Sequence, residues 1–133
     1  MSQRTILIAT DADEVLDEVD AALSDPTTTV VRVRRGVDVL PAVQEVAPDL
    51  VVLDLQIGNM GGVATALALR NEESAGRIDA QSVLMLLDRT ADVFLARRAE
   101  ADGWLVKPLD ALRIRRAAEQ VLDGGTYTEG LAS

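Results

Sequence analysis

The sequence predicts a doubly wound α/β domain built on a five-stranded parallel sheet. Three observations carry that reading. Apolar runs of strand length alternate five times with amphipathic runs of helical spacing. Strict alternation argues for a parallel sheet with helices on both faces and right-handed crossovers. The 133 residues make one domain the prior and provide one real core, but the runs are too few for an eight-fold barrel.

The elements follow in order. Thr5-Ile6-Leu7-Ile8-Ala9 reads as a buried strand. Val15, Leu16, Val19, Ala22 and Leu23 then recur at helical spacing, with Asp17, Glu18 and Asp20 opposite them, and Asp25-Pro26 ends that helix. Val30, Val31 and Val33 form a second strand with Arg32 and Arg34 alternating outward. A second helix covers 37–47. Leu50-Val51-Val52-Leu53 is the most apolar strand, as expected of one covered on both faces. Residues 58–62 form a loop, 63–69 a helix, and the polar stretch 71–80 a long connection. Val83-Leu84-Met85-Leu86-Leu87 is a fourth buried strand. Residues 91–101 form a helix with Thr90 as N-cap. Trp104-Leu105-Val106 is a short fifth strand, and 109–122 a final helix closed by Gly124-Gly125. The domain therefore spans 1–122, and 123–133 reads as a loose tail with no output domain after it.

Composition narrows the chemistry. A hydrophobic fraction of 48% against 26% charged residues is too apolar for a disordered chain. There is no cysteine, hence no disulfide, thiolate metal site or cysteine nucleophile. There is no histidine, which removes the commonest general base and every Ser-His-Asp arrangement. The net charge of −9 repels phosphate backbones and argues against direct nucleic-acid binding. No run reaches 18 apolar residues and no signal-peptide layout opens the chain, so a cytoplasmic protein without a membrane contact is expected. Twelve of the thirteen basic residues are arginine, and the single lysine is Lys107.

In an open parallel sheet, ligands bind at the carboxyl ends of the strands. Thr10-Asp11-Ala12-Asp13 follows strand one, Asp54 ends strand three, Leu87-Asp88-Arg89-Thr90 closes strand four, and Lys107-Pro108 follows strand five. Carboxylates with an amine beside them make a small polar nest. Carboxylate oxygens with a backbone carbonyl and waters suit Mg²⁺. An aspartate there can attack phosphorus to give an acyl phosphate. No Gly-x-x-x-x-Gly-Lys-Ser/Thr loop supports a nucleotide site.

At these residues the chain resembles the response-regulator receiver domain over positions 4 to about 122. The resemblance rests on Ile6-Leu7-Ile8-Ala9-Thr10-Asp11, on Pro48-Asp49-Leu50-Val51-Val52-Leu53-Asp54-Leu55 followed by Met60-Gly61-Gly62, and on Ala101-Asp102-Gly103-Trp104-Leu105-Val106-Lys107-Pro108. It implies a flavodoxin-like sheet with strand order 2-1-3-4-5. It implies that Asp54 accepts a phosphoryl group from a histidine kinase or phosphotransfer protein. Asp11, Asp54 and the backbone carbonyl of Gln56 would then hold Mg²⁺, and Lys107 would pair with the phosphoryl group across a cis Lys107–Pro108 bond. Such a module is a signalling protein rather than an enzyme. It would speak to a separate protein through the helix 4–strand 5–helix 5 face, or dimerise.

The departures from that pattern define an atypical, stand-alone member. Thr10 stands where the family has a first acid, which lowers the expected Mg²⁺ affinity. Leu87 stands where a switch hydroxyl is usual, and Asp88 where a small residue is usual, a charge that repels an incoming phosphoryl group. Trp104 replaces the switch Tyr or Phe. Arg89 is placed to reach the phosphoryl group in part compensation. These departures motivate a second reading, a pseudo-receiver that acts as an interaction module without phosphate. A flavodoxin-like cofactor binder is the third, disfavoured by the lack of a glycine loop and by only three aromatic residues. Asp11 has a simpler role open to it as the N-cap of helix one.

Overall fold

The structure is a computed structural model that describes residues 3–58 and 60–130. Five strands form one parallel sheet in the order β2-β1-β3-β4-β5: β1 (Arg4–Ala9), β2 (Thr28–Val33), β3 (Leu50–Asp54), β4 (Val83–Leu87) and β5 (Gly103–Val106). The register pairs Ala9 with Leu53, Asp54 with Leu86 and Leu87 with Val106. The carboxyl ends of the strands therefore lie side by side at one edge of the sheet.

Alternation along the strands decides which helix covers which face. Ile6, Ile8, Leu50, Val52, Leu84, Leu86 and Leu105 point to one side. There they meet Val15 and Val19 of α1 (Asp13–Leu23) and Ile114, Ala117 and Val121 of α5 (Ala111–Leu122). Leu7, Val51, Leu53, Val83, Met85, Leu87 and Trp104 point to the other. That layer is closed by α2 (Val39–Val46), α3 (Gly62–Ser74) and α4 (Val93–Arg98). β3 and β4 are buried along their whole length, as their unbroken apolar runs require.

Four local expectations are corrected. The polar stretch after residue 70 is no connection at first, because α3 runs to Ser74. Arg70 anchors that extension: its guanidinium pairs with Glu73 at 2.9 Å and Asp102 at 3.1 Å, and also donates to the Gln81 and Glu100 carbonyls. Thr90 is not a helix N-cap but the first residue of a 3-10 turn, Thr90–Asp92, whose Asp92 carboxylate accepts the Arg89 amide. Asp11 is not a cap either, since Ala12 holds that position on α1. Residues 123–130 are not loose. Gly124 at φ +88° and Gly125 close α5, their amides bonding the Val121 and Gln120 carbonyls. The chain then turns back along β5, where Tyr127 bridges Gly103 in parallel.

Candidate functional site

Asp54 is the centre of the acidic end. It closes a strand buried along its whole length, and its residue is only 2% exposed. A buried carboxylate needs partners for both oxygens, and this chain supplies them. Oδ1 accepts from Lys107 Nζ at 2.8 Å and from the Gln56 backbone N–H at 3.2 Å. Oδ2 accepts from the Thr10 hydroxyl at 2.8 Å. Thr10 is itself fully buried, and its Oγ1 accepts the Ala12 amide at 3.1 Å, fixing the start of α1.

Lys107 is shared. The same amine donates to Asp88 Oδ1 at 2.9 Å. Burial works against its charge, but the hydrogen bonds to Asp54 and Asp88 hold its pKa above the ordinary 10.5, so it stays an ammonium. The Lys107–Pro108 bond is cis.

Asp11 has a different ion-pair partner from Asp54 and Asp88. It is exposed and faces Arg34, 3.8 Å away. Asp13, on the first turn of α1, pairs with Arg32 at 3.0 Å and Arg34 at 3.3 Å. Those guanidinium groups, Arg32 first, hold its carboxyl below the usual range. Arg32 also donates through Nε to the Thr10 carbonyl at 2.8 Å. Sequence reasoning placed Arg32 and Arg34 on β2 facing outward without seeing that they reach the acids beyond β1. The available signal was the alternation of two arginines at the carboxyl end of the strand that pairs with β1.

The remaining expected residues fall as follows. Leu87 is fully buried in the core layer of α2, α3 and α4 and offers no donor. Arg89 was expected to reach toward a phosphoryl group; its guanidinium instead pairs with Asp92 at 3.3 Å, its side chain largely in solvent. Trp104 is 6% exposed, and its indole N–H donates to the Glu129 carbonyl at 2.8 Å.

The donor set for the implied Mg²⁺ can be tested on these contacts. Its carboxylates would be Asp11 and Asp54. Asp54 Oδ2 is occupied by the Thr10 hydroxyl, and Asp11 is turned to Arg34. Among the described residues no three acidic side chains converge as a metal group. The oxygens that would hold a hard cation here are those of Asp11 and Asp54 with the Gln56 carbonyl, and the Thr10 hydroxyl and the Arg34 guanidinium now lie on the two carboxylates. The counter-charge that the chain's own side chains bring to this end comes from Lys107, Arg32 and Arg34.

Comparison with known proteins bears on this geometry. The family model described as the response regulator receiver domain matches residues 6–119. The chain is 33% identical over 104 residues to the DNA-binding response regulator MtrA of Mycobacterium tuberculosis, covering 71% of this chain and 42% of that protein. It is 31% identical over 122 residues to the nitrate/nitrite response regulator protein NarL of Escherichia coli, covering 90% of this chain and 55% of that one. The chain thus spans about half the length of the curated relatives it matches. Among solved structures, the signal receiver domain of the putative response regulator NarL from Mycobacterium tuberculosis superposes with a TM-score of 0.80 at 25% identity, over 93% of this chain and 99% of that one. The chemotaxis response regulator CheY4 of Vibrio cholerae superposes with a TM-score of 0.79 at 22% identity, over 90% and 99%, a likeness of fold.

Proposed function

This chain belongs to the response regulator receiver domain family of two-component signalling, and from that premise we propose that Asp54 accepts a phosphoryl group from a phosphohistidine of a kinase or phosphotransfer protein. The observation that carries the reading is the buried Asp54 carboxylate held 2.8 Å from the chain's single lysine. Oδ2 is the nucleophile. It carries one hydrogen bond, from a hydroxyl that can rotate away, whereas Oδ1 is fixed by an ammonium and a backbone amide. As the O–P bond forms, the N–P bond of the donor breaks, and the leaving imidazole takes a proton from solvent. The product is an acyl phosphate on Asp54. Its added negative charge draws the Lys107 ammonium, which then leaves Asp88. In place of the family's hydroxyl switch, the event passed to the β4–α4 loop is the release of Asp88. Asp11, Asp54 and the Gln56 carbonyl would hold a Mg²⁺ at this end, where it would supply further charge neutralisation on the transferring phosphoryl group. The partner surface we assign is the α4–β5–α5 face, on which Phe94 is 61% and Leu112 55% exposed.

A second reading, a phosphate-independent interaction module, is favoured by one contact: the Thr10 hydroxyl already satisfies the oxygen that would attack. The two are separated by intact mass after incubation with a small phosphodonor, with and without Mg²⁺, for wild type and Asp54→Asn. A single phosphoryl adduct absent from the variant supports the acceptor. No adduct in wild type, and none on incubation with phosphorylated kinase, leaves the interaction module.

A further inference from the structure

β5 is an edge strand, and an edge offers unpaired donors and acceptors to any chain that can lie along it. Here the chain's own residues 126–130 lie there. The Trp104 amide donates to the Tyr127 carbonyl at 2.8 Å, and the Tyr127 amide reaches the Asp102 carbonyl at 3.4 Å. One rung further the ladder passes to side chains. The Val106 amide donates to Glu129 Oε1 at 2.9 Å, and the Trp104 indole takes the Glu129 carbonyl. The Arg113 guanidinium grips the same carboxylate with a fork of Nε and Nη2, and the Tyr127 hydroxyl adds a bond at 3.1 Å. Tyr127 and Glu129 are half-buried, while Thr126, Thr128 and Gly130 are exposed, the alternation of a strand.

Viewed from β5, the surface is a row of N–H donors: the Trp104 and Val106 amides, the indole, and the two nitrogens of the Arg113 fork. Against them stands the Asp102 carbonyl as acceptor. Such a row selects an extended segment with a carboxylate set to meet Arg113. Arg116, close enough to Tyr127 to act on its phenol electrostatically, adds positive charge to this side of an acidic chain. The backbone is shaped for the contact. A Cβ on Gly103 would stand 2.8 Å from the Tyr127 carbonyl oxygen, and one on Gly130 would stand 2.9 Å from Thr90 Cγ2.

The segment is also built to leave. It is held by hydrogen bonds and one ion pair, with Tyr127 its single residue packed on the core. Gly124-Gly125 ahead of it close α5, so the strap can swing from Thr126 onward with both helix-closing amide bonds kept. Contacts of that kind open at a lower free energy than buried strands.

We propose that the β5 edge with Arg113 is a peptide-binding surface for an extended acidic segment presented by a partner protein. Residues 126–130 are its resident, displaceable strap. The partner binds by strand addition, its aromatic residue replacing Tyr127 and its carboxylate, two positions on, replacing Glu129. Because Gly130 rests on Thr90, the strap touches the loop that carries Asp88. Binding at this edge does not require Asp54 to be phosphorylated.

The test uses the full chain and a labelled synthetic peptide with the sequence of residues 124–133. Fluorescence anisotropy is measured on wild type, Glu129→Ala, and Glu129→Ala with Arg113→Ala. The peptide binds Glu129→Ala at least tenfold more tightly than wild type, and adding Arg113→Ala removes the gain. Equal binding to wild type and Glu129→Ala, or indifference to Arg113, overturns the proposal. Amide hydrogen exchange on unmodified wild type gives a second reading free of any folding defect. The Trp104, Val106 and Tyr127 amides exchange as a group at least tenfold faster than those of Leu84 and Leu86. Exchange of all of them at the core rate means the strap opens only on global unfolding, which also overturns it. Neither measurement uses phosphate, so the proposal stands or falls separately from the acceptor role of Asp54.

Discussion

Lys107 is one amine between two carboxylates, and that sharing sets what its neighbours do. Removing it strands Asp54, a residue 2% exposed, without its cation. Lys107→Met is therefore expected to lower stability by about 3 kcal/mol, the low end for breaking a buried ion pair, because the lysine side chain itself keeps 22% exposure. A shift in the urea midpoint checks it. Asp88 is different. Its side chain is 31% exposed, so Asp88→Asn costs no more than about 1 kcal/mol. It also leaves Lys107 wholly to Asp54, and the same variant is expected to gain phosphoryl adduct faster than wild type, followed by intact mass over time. That Asp54 and Lys107 meet was legible in the sequence, because in a parallel sheet the residues ending β3 and β5 must lie at one edge. That Asp88 takes the other side of the amine was not. The sequence suggested a charge that repels phosphate, and only the side-chain geometry shows it bonded to Lys107 at 2.9 Å. Thr10 is similar: its lost negative charge was readable, but its gained hydrogen bond to Asp54 was not.

The strap is where sequence and structure part most among the elements. Residues 123–130 carry three glycines, two threonines and little apolar content, which locally reads as a tail. What orders them is long-range: Glu129 meets Arg113 across sixteen positions and Val106 across twenty-three. Periodicity has no access to such contacts. Gly103→Ala places a methyl against the Tyr127 carbonyl oxygen, a backbone atom that cannot simply turn away. The expected result is a displaced strap, a red-shifted Trp104 emission as its indole N–H meets water, and a loss of about 1–3 kcal/mol. Acid acts on the same element. Burial raises the Glu129 carboxyl, but Arg113, the Val106 amide and the Tyr127 hydroxyl hold it below its ordinary 4.5. A depressed native pKa contributes stability that is complete above the ordinary value and lost as pH falls through the native one. The Trp104 emission of wild type is expected to hold steady down to pH 4.5 and to shift below it, whereas in Glu129→Gln the shift is already present at neutral pH. The end of α3 was misread for a related reason. Asn71 to Ser74 show no apolar stripe, and the helix continues because Arg70 is tied to Glu73, Asp102 and two carbonyls.

At the scale of the whole molecule, the fold was the most legible feature. Five apolar strands with alternating faces leave few ways to bury both sides of a sheet, and the order β2-β1-β3-β4-β5 agrees with the resemblance read at the motifs around Asp11, Asp54 and Lys107. The two core layers account for the strand sequences almost residue by residue. What the sequence could not display is how the molecule distributes its charge. A chain of net charge −9 places Arg32 and Arg34 against the acids after β1, and Lys107 against Asp54 and Asp88. The acidic end is thereby largely balanced from within, and the proposed phosphorylation of Asp54 would be a contest for Lys107. A ³¹P spectrum of the protein after incubation with a small phosphodonor tests that account most directly. It predicts an acyl-phosphate resonance in wild type, absent from Asp54→Asn and stronger in Asp88→Asn. A spectrum with no such resonance in folded wild type and folded Asp88→Asn alike, or one that persists in Asp54→Asn, would contradict it.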